Sequence, residues 1–314
     1  MKDSSIATPA KFTDPFVTAK GETRARVALS DPQTIWFNTG TLCNITCVNC
    51  YIESSPTNDA LAYLSVEDVL SYLDEMANLD WAVREIAFTG GEPFMNPQMI
   101  EMARVSLERG YEVLVLTNAM APMMRPAVQA GLLHLREKFG DRLTLRVSLD
   151  HHSGENHDAM RGKGSFVRTL LGMDWLRDNG FNMAVAARSL WDETDADART
   201  GFAALFQDRN YKIDAQDPTT TVIFPEMDET VDVPEITTEC WGILHKSPRD
   251  VMCSSSRMVV KRKGEAPSVV ACTLLPYDRQ FDLGPTLEGA AGEVALNHPH
   301  CAKFCVLGGA SCSA

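Results

Sequence analysis

The sequence has no long hydrophobic run. None of its 314 residues belongs to a stretch of about 18 consecutive apolar residues, the length that predicts a transmembrane helix. The N-terminal stretch MKDSSIATPAKFTDP also lacks the apolar segment of a secretory signal. We therefore expect a cytoplasmic protein. Hydrophobic residues nevertheless make up 45% of the chain, which is enough to bury a sizeable core.

The chain also has fewer basic residues than acidic ones. The chain has 29 Lys and Arg residues against 42 Asp and Glu residues, which gives a formal net charge of −13. Nucleic acids and anionic lipid surfaces attract basic proteins, so this balance excludes a general affinity for either. We expect neither a nucleic-acid partner nor a membrane partner.

Cysteine is absent from residues 51–239 and crowded on both sides of that gap. Three of the nine cysteines precede the gap and six follow it. The cysteines are Cys43, Cys47 and Cys50, then Cys240, Cys253, Cys272, Cys301, Cys305 and Cys312. An odd number cannot pair completely, and the cytosol keeps thiols reduced. Two groups at opposite ends of the chain indicate two separate tasks other than disulfide formation.

Short apolar or β-branched runs alternate with longer amphipathic stretches between residues 34 and 190. The short runs predict five strands, at Thr34–Asn38, Glu85–Phe88, Glu112–Leu116, Leu143–Ser148 and Asn182–Ala186. The longer stretches predict helices at 65–79, 96–110 and 165–180. Ser65, with Asp68 three residues later, predicts a capping box at the start of the first helix.

Strand–helix alternation with short loops predicts parallel β/α units. The sequence contains five clear units and a possible sixth near 194–216, fewer than a complete eightfold barrel requires. The predicted fold is therefore α/β, a partial (β/α)6 TIM-like barrel, with an open doubly wound sheet as the alternative. In both folds the active site lies at the C-terminal ends of the strands.

The composition divides the chain into three segments. Residues 1–33 are polar and contain several prolines, so we expect an N-terminal extension with little regular structure. Residues 34–216 hold the barrel units. From residue 217 the chain is rich in Pro, Thr and acidic residues, and long helical patterns stop. We predict a small cysteine-rich C-terminal module at 217–314.

The stretch CNITCVNC at 43–50 holds three thiols with three and then two intervening residues. On a loop, this spacing lets all three sulfurs face one centre. Soft thiolates select zinc, copper(I) or an iron–sulfur cluster. A structural zinc site normally has four ligands, so three thiols favour a [4Fe–4S] cluster with one iron left open.

A Cys-x3-Cys-x2-Cys loop just after a first β-strand resembles the radical S-adenosylmethionine (SAM) superfamily. Further segments follow in the family's order: TGGEP at 89–93, LTN at 116–118, SLD at 148–150 and HDAMRGKGSF at 157–166. The resemblance implies SAM and a [4Fe–4S] cluster on Cys43, Cys47 and Cys50. The open iron would chelate the amino and carboxylate groups of SAM, and one electron would release a 5′-deoxyadenosyl radical that abstracts hydrogen from the substrate.

The same resemblance implies which other residues hold SAM. Glu92 and the neighbouring backbone would hold the methionine amino group, Arg161 the carboxylate, and the SLD segment the ribose. Many members carry an aromatic residue just before the last cysteine, where this chain has Asn49, so Tyr51 is a candidate for a related role. The candidate SAM-binding residues are Tyr51, Gly90, Gly91, Glu92, Pro93, Asn118, Ser148, Asp150 and Arg161.

The later cysteines resemble the auxiliary iron–sulfur modules called SPASM and Twitch. Ten residues separate Cys253 from Gly264, seven more precede Cys272, and a close group follows at Cys301, Cys305 and Cys312. Too few thiols are present for two full clusters, so we predict one auxiliary [4Fe–4S] cluster on four of these five cysteines. Cys253 and Cys312 compete for the fourth position. A structural zinc site is the alternative.

These features predict a radical SAM oxidoreductase that modifies a peptide or a small molecule, with the auxiliary cluster assisting electron transfer. A reductant such as flavodoxin or ferredoxin is the expected partner. The alternative is a non-catalytic iron–sulfur electron carrier or a zinc-binding scaffold, which needs only the thiols. That alternative does not account for the GGEP, SLD and HDAMRG segments on successive β/α units. SAM binding would distinguish the two.

Overall fold

The computed structural model describes residues 10–226, 228 and 231–309. The strands are β1 Arg26–Val27, β2 Thr34–Asn38, β3 Glu85–Thr89, β4 Glu112–Thr117, β5 Leu143–Ser148, β6 Asn182–Ser189, β7 Thr221–Pro225, β8 Ser256–Lys261, β9 Pro267–Val270 and β10 Val294–Ala295. The α-helices are α1 Val66–Asn78, α2 Met99–Glu108, α3 Pro126–Phe139, α4 Gly154–Arg161, α5 Ser165–Asp178, α6 Asp195–Arg209 and α7 Cys240–Ile243. A π-helix follows at Cys301–Leu307.

Eight strands form one sheet in the order β7-β6-β5-β4-β3-β2-β8-β9. Strands β2 to β7 are parallel and follow their order in the chain, and β8 adds a further parallel strand beside β2. From β2 to β7 each strand lies beside the one before it, as in a β/α barrel, and this run contains no switch point of the doubly wound kind. The α/β fold with a partial (β/α)6 TIM-like barrel is therefore confirmed.

The five strands predicted from the sequence coincide with β2 to β6 to within three residues at either end. The possible sixth unit near 194–216 contains helix α6, whereas its strand is β7 at Thr221–Pro225. This strand and β8 and β9 lie beyond residue 216, so the sheet continues past the predicted end of the barrel segment. The division at 216 stays a prediction about domains.

The start of helix α1 shows how local sequence determines an element. Ser65 accepts a hydrogen bond from the Asp68 backbone N–H at 3.2 Å, and the Asp68 carboxylate accepts one from the Ser65 N–H at 2.8 Å. This capping box satisfies two N–H groups that have no partner within the helix. The predicted capping box is confirmed, and the helix begins one residue later than the range 65–79 suggested.

The N-terminal segment has more structure than its composition suggests. Strand β1 pairs antiparallel with β10, near the other end of the chain. Arg24 is almost completely buried and forms an ion pair with Glu235. Because both contacts join distant parts of the chain, no local pattern could have predicted them. The described part of the N-terminal segment packs on the C-terminal part.

Two apolar groups pack on the two faces of the main sheet. Sheet and helices enclose the larger core, which includes Phe37, Phe88 and Leu145. A second group, around Trp36, Leu114 and Met258, lies on the other face of the same strands. Successive residues of a strand point to opposite faces, so β2, β3, β4, β8 and β9 supply both groups. Within the described residues, none of the helices is long and apolar enough to cross a membrane.

Candidate active site

The three thiols of the first cysteine group open into one cavity at the C-terminal ends of the parallel strands. About 1080 Å³ of space, including the open mouth, lies between its walls. Seven of the nine candidate SAM-binding residues line it together with the thiols: Tyr51, Gly90, Gly91, Asn118, Ser148, Asp150 and Arg161. The strands that carry these residues are neighbours in the sheet, which explains why distant segments meet here.

The Gly90–Gly91 turn packs directly against the chain that leads to Cys43. The Gly91 N–H donates to the Gly40 carbonyl at 2.7 Å. A Cβ atom on Gly91 would lie 2.3 Å from the Leu42 carbonyl oxygen, closer than real Cβ contacts come. Glycine is therefore required by this close approach of two backbones. The turn contributes to the site by fixing the base of the cysteine loop.

Glu92 connects two strand ends. Its carboxylate accepts hydrogen bonds from the Thr117 hydroxyl at 2.8 Å and from the Asn118 backbone N–H at 2.8 Å. The side chain is buried, and burial raises the pKa of Glu92 to about 7 against these donors. Neither Glu92 nor Pro93 is among the residues that line the cavity. Their contact with SAM stays a prediction, and in this structure Glu92 holds the end of β4 in place.

Asn118 links that strand end to the cysteine loop. Its Nδ2 donates to the Asn44 Oδ1 at 2.9 Å and lies 3.9 Å from the Cys43 sulfur. A series of contacts therefore connects Glu92 through Asn118 to the first thiol. Asn44 was not singled out from the sequence, because an asparagine between two cysteines carries no pattern of its own.

Asp150 and Arg161 form a bidentate ion pair at the cavity wall. Arg161 Nε lies 2.8 Å from one Asp150 oxygen and Nη2 lies 2.8 Å from the other. Burial alone would raise the pKa of Asp150, but the Arg161 guanidinium holds it below the ordinary value. This pairing orients Arg161 toward the cavity, where it favours an anionic group.

Arg188, on β6, is a site residue that the sequence analysis missed. It donates to the carbonyls of Val48 at 3.1 Å and Asn49 at 3.2 Å. Asn49 in turn donates to Glu226 at 2.9 Å. These contacts clamp the loop between Cys47 and Cys50. They join residues about 140 positions apart, which only the sheet topology brings together.

The thiols themselves fit an iron–sulfur group. Burial raises the pKa of Cys43 to about 12 and also raises that of Cys47, so both thiols keep their protons at neutral pH until a metal replaces them. Within the described part of the chain, no three cysteine sulfurs lie within 4.8 Å of one another. Sulfurs around a single zinc ion stand about 3.8 Å apart, given Zn–S bonds of about 2.3 Å. Three soft thiols in one cavity suit an iron–sulfur cluster, whereas a structural zinc site normally has four ligands.

A second group of thiols lies in the C-terminal part. Cys253 and Cys301 are buried in one apolar cluster, and Cys272 and Cys305 pack against it. Burial raises the pKa of Cys301 well above the ordinary value, and the neighbouring Cys272 and Cys253 raise it further. Four of the five predicted auxiliary ligands therefore come together. The fifth, Cys312, lies outside the described residues.

Cys240 belongs to the same apolar cluster, but its sulfur already accepts from Thr237. The Thr237 backbone N–H and hydroxyl both lie 3.4 Å from it. These contacts are typical of a core thiol rather than a metal ligand. It makes Cys240 a useful control for substitutions at the other cysteines.

One further group of side chains has the spacing of a metal site. His151, His152 and Glu193 each place a ligand atom within 4.8 Å of the others. However, His151 Nδ1 accepts from the Ser153 backbone N–H at 2.9 Å. The ring proton therefore lies on Nε2, which donates to Glu193 at 2.9 Å. A metal would need the Nε2 lone pair, so these residues form a hydrogen-bonded group and not a metal centre.

Comparison with known proteins agrees with this geometry. The family model described as the radical SAM superfamily matches residues 37–197, just over half of the chain. The sequence is 33% identical over 158 residues to the antilisterial bacteriocin subtilosin biosynthesis protein AlbA of Bacillus subtilis strain 168, covering 49% of this chain and 33% of AlbA. It is 32% identical over 157 residues to an AdoMet-dependent heme synthase of Methanosarcina barkeri, covering 48% of this chain and 42% of that protein.

The fold is similar to that of SuiB from Streptococcus suis. The SAM-bound structure of SuiB has a TM-score of 0.58 and 12% identity, covering 81% of this chain and 63% of SuiB. The chain belongs to the radical SAM superfamily, and a cysteine-rich region follows the matched residues. The chain spans between one third and about two fifths of the curated relatives it matches.

Proposed function

We propose that the protein is a radical SAM enzyme that modifies a peptide. In this proposal a [4Fe–4S] cluster on Cys43, Cys47 and Cys50 reductively cleaves SAM and supplies the 5′-deoxyadenosyl radical for hydrogen abstraction. One observation carries the proposal above all. Three buried or half-buried thiols and the Asp150–Arg161 pair face the same cavity, so soft metal ligands and an anion-binding group share one site.

The residues at this cavity suit the separate parts of SAM. The Arg161 guanidinium, held by Asp150, is the group that would bind the carboxylate. Backbone and side-chain polar groups of Gly90, Asn118 and Ser148 face the same space. Tyr51 lies on the cavity wall next to the last thiol and supplies an aromatic surface for the adenine. Apolar walls around these groups would keep water from a reactive radical.

We further propose that Cys253, Cys272, Cys301 and Cys305 hold one auxiliary [4Fe–4S] cluster. Their place in a single apolar cluster supports this ligand set. Thr273 and Leu274, next to Cys272, also line the SAM-site cavity. The auxiliary thiols are therefore adjacent to the space where substrate would bind. Four thiol ligands would leave no open iron, so the auxiliary cluster would transfer electrons.

A peptide is the substrate class that we propose. SuiB has also been solved bound to its precursor peptide SuiA, with a TM-score of 0.57 to this chain. AlbA is named for the biosynthesis of a bacteriocin. The cavity walls include Ile52, Leu274, Phe224 and Phe304, an apolar surface that suits side chains of a peptide.

The reaction needs an electron donor, and flavodoxin or ferredoxin is the class that we propose. Thiol-bound clusters of this kind require reducing conditions, which suits a cytoplasmic enzyme. We also retain the division into an N-terminal extension at 1–33, a core at 34–216 and a cysteine-rich module at 217–314 as a proposal about domains. Because one sheet contains strands from both sides of residue 216, the second boundary marks a change in composition and not a break in the fold.

The first experiment measures iron, acid-labile sulfide and 5′-deoxyadenosine on protein reconstituted without oxygen and reduced with dithionite. We expect about eight irons and eight sulfides per chain, as for two [4Fe–4S] clusters, together with 5′-deoxyadenosine from added SAM. Zinc without sulfide, or two clusters without SAM binding, would contradict the proposal and favour a scaffold or electron carrier.

A further inference from the structure

The auxiliary thiols have a buried arginine as a neighbour. Arg257 lies on β8 and its side chain has no exposed surface. Its Nη1 donates to the carbonyl of Cys253 at 2.6 Å, so the guanidinium sits beside one of the thiol-bearing residues. Its positive charge also interacts with Cys272. Arginine stays protonated at any pH at which the protein is folded, so this charge is permanent.

The partners of Arg257 are all neutral. Nη1 also donates to the Ser256 carbonyl at 2.8 Å, Nε to the Ala290 carbonyl at 2.9 Å and Nη2 to the Gly292 carbonyl at 3.0 Å. Among residues 10–226, 228 and 231–309, no carboxylate lies within 4.0 Å of this guanidinium. The carbonyls orient the side chain, but they do not neutralise it.

Two other buried arginines make a clear contrast. Arg24 pairs with Glu235, and Arg262 pairs with Asp282 at 2.6 Å. Removing a charge from water is expensive unless an opposite charge accompanies it. Arg257 therefore requires a nearby anion. The thiols beside it do not supply one while they are protonated, because they are then neutral. Four thiolates around a [4Fe–4S] core carry a net negative charge and would meet that requirement.

We propose that Arg257 raises the reduction potential of an auxiliary cluster held by Cys253, Cys272, Cys301 and Cys305. This inference rests on the auxiliary cluster of the proposed function. When one electron enters the oxidised cluster, the net negative charge of the cluster increases by one. A fixed buried cation stabilises the reduced form more than the oxidised form, so reduction becomes easier. Arg257 is a positioning and charge-setting residue rather than a catalytic one.

The test is a redox titration of the reconstituted holoenzyme with dithionite, followed by electron paramagnetic resonance of each cluster. Arg257→Met should lower the equilibrium constant for reduction of the auxiliary cluster by about tenfold, which is about 59 mV for one electron. The potential of the SAM-site cluster should not change. Arg257→Lys, which keeps the charge, should restore most of the parental auxiliary potential.

Arg262→Met is the matched control, since it removes a buried arginine whose charge is already paired. It should leave the auxiliary potential at the parental value. If Arg257→Met does not fold, Arg257→Gln replaces it, because glutamine keeps hydrogen-bond donors and loses only the charge. A neutral variant with full iron content and an unchanged auxiliary potential would overturn the inference.

The same titration separates this inference from the proposed function. If the parental protein binds only about four irons, the auxiliary cluster is absent and the proposed ligand set is wrong. The proposed role of Arg257 is then wrong as well. If the parental protein binds two clusters and only the effect of Arg257 is missing, the proposed function stands without this inference.

Discussion

The two thiol groups differ in how the chain brings them together. Cys43, Cys47 and Cys50 lie within eight residues on one loop, whereas Cys253, Cys272 and Cys301 come from three separate segments. The first group faces a cavity with Arg161, whose charge is paired with Asp150. The second lies in an apolar core beside Arg257, whose hydrogen-bond partners among the described residues are backbone carbonyls. A paired arginine beside an open cavity is suited to bind a ligand, and a buried unpaired one is suited to compensate a buried anion.

The largest effect should come from the first group. Cys47→Ala removes one of only three thiols at the cavity, so we expect 5′-deoxyadenosine formation to fall to background, a loss of at least a thousandfold. The auxiliary cluster should remain, leaving about four irons per chain. Iron analysis and product chromatography check both expectations. Parental 5′-deoxyadenosine formation in this variant would show that the SAM cluster is not at this loop.

The opposite pattern should follow from Cys301→Ala. This substitution removes a buried auxiliary thiol, so iron content should fall by about half while SAM cleavage in the absence of substrate persists. Cys240→Ala is the control, because the Cys240 sulfur accepts from Thr237 and should not bind iron. Iron loss in Cys240→Ala together with full iron in Cys301→Ala would reverse the proposed ligand set.

A smaller effect should come from the arginine at the cavity. If Arg161 binds the SAM carboxylate as proposed, Arg161→Met removes a charge-assisted hydrogen bond worth about 1.5–3 kcal/mol, so SAM affinity should fall by roughly ten- to a hundredfold. Titration calorimetry with SAM measures this change. Arg168→Met, on an exposed part of α5, should bind SAM as the parental protein does. Equal affinity in Arg161→Met would remove Arg161 from the SAM site.

The smallest expected effect concerns pH, and it belongs to the first site alone. The pKa of Glu92 is raised to about 7, so native Glu92 keeps a proton that the unfolded chain has already released above its ordinary pKa of 4.5. Stability from this group is therefore complete below pH 4.5 and is lost as the pH rises through about 7, by at most about 1.4 kcal/mol per pH unit. Glu92→Gln should flatten this slope in urea unfolding between pH 5 and 7.5. The exposed Glu67→Gln should keep the slope, and a parental slope in Glu92→Gln would assign it to another group.

Local patterns predicted most of the barrel. Strands β2 to β6 and the capping box at Ser65 follow from alternation, turn residues and side-chain-to-backbone hydrogen bonds within a few positions. Strand β7 was not predicted, because its TVIFP run is short and lies beyond the possible sixth unit near 194–216. The joining of β8 and β9 to the edge beside β2 had no local signal, since strand pairing depends on what the rest of the sheet leaves open.

The same division holds for the candidate site. The cysteine spacing and the GGEP and SLD segments singled out seven of the residues that line the cavity. Arg188 and Asn44 were missed, because each acts through a contact with a distant residue or a loop carbonyl. The four tail cysteines that the structure describes belong to one apolar cluster, and their role as cluster ligands stays a prediction because spacing alone did not choose among them.

The sequence by itself determined the superfamily, the barrel strands and the residues of the first thiol loop, because these are encoded in short stretches of neighbouring residues. Only the tertiary structure decided that Asp150 holds Arg161, that Arg188 clamps the loop and that Arg257 lies beside the auxiliary thiols. The reason is physical. Burial and pairing of a charge depend on every segment packed around it, and those segments meet only when the chain is folded.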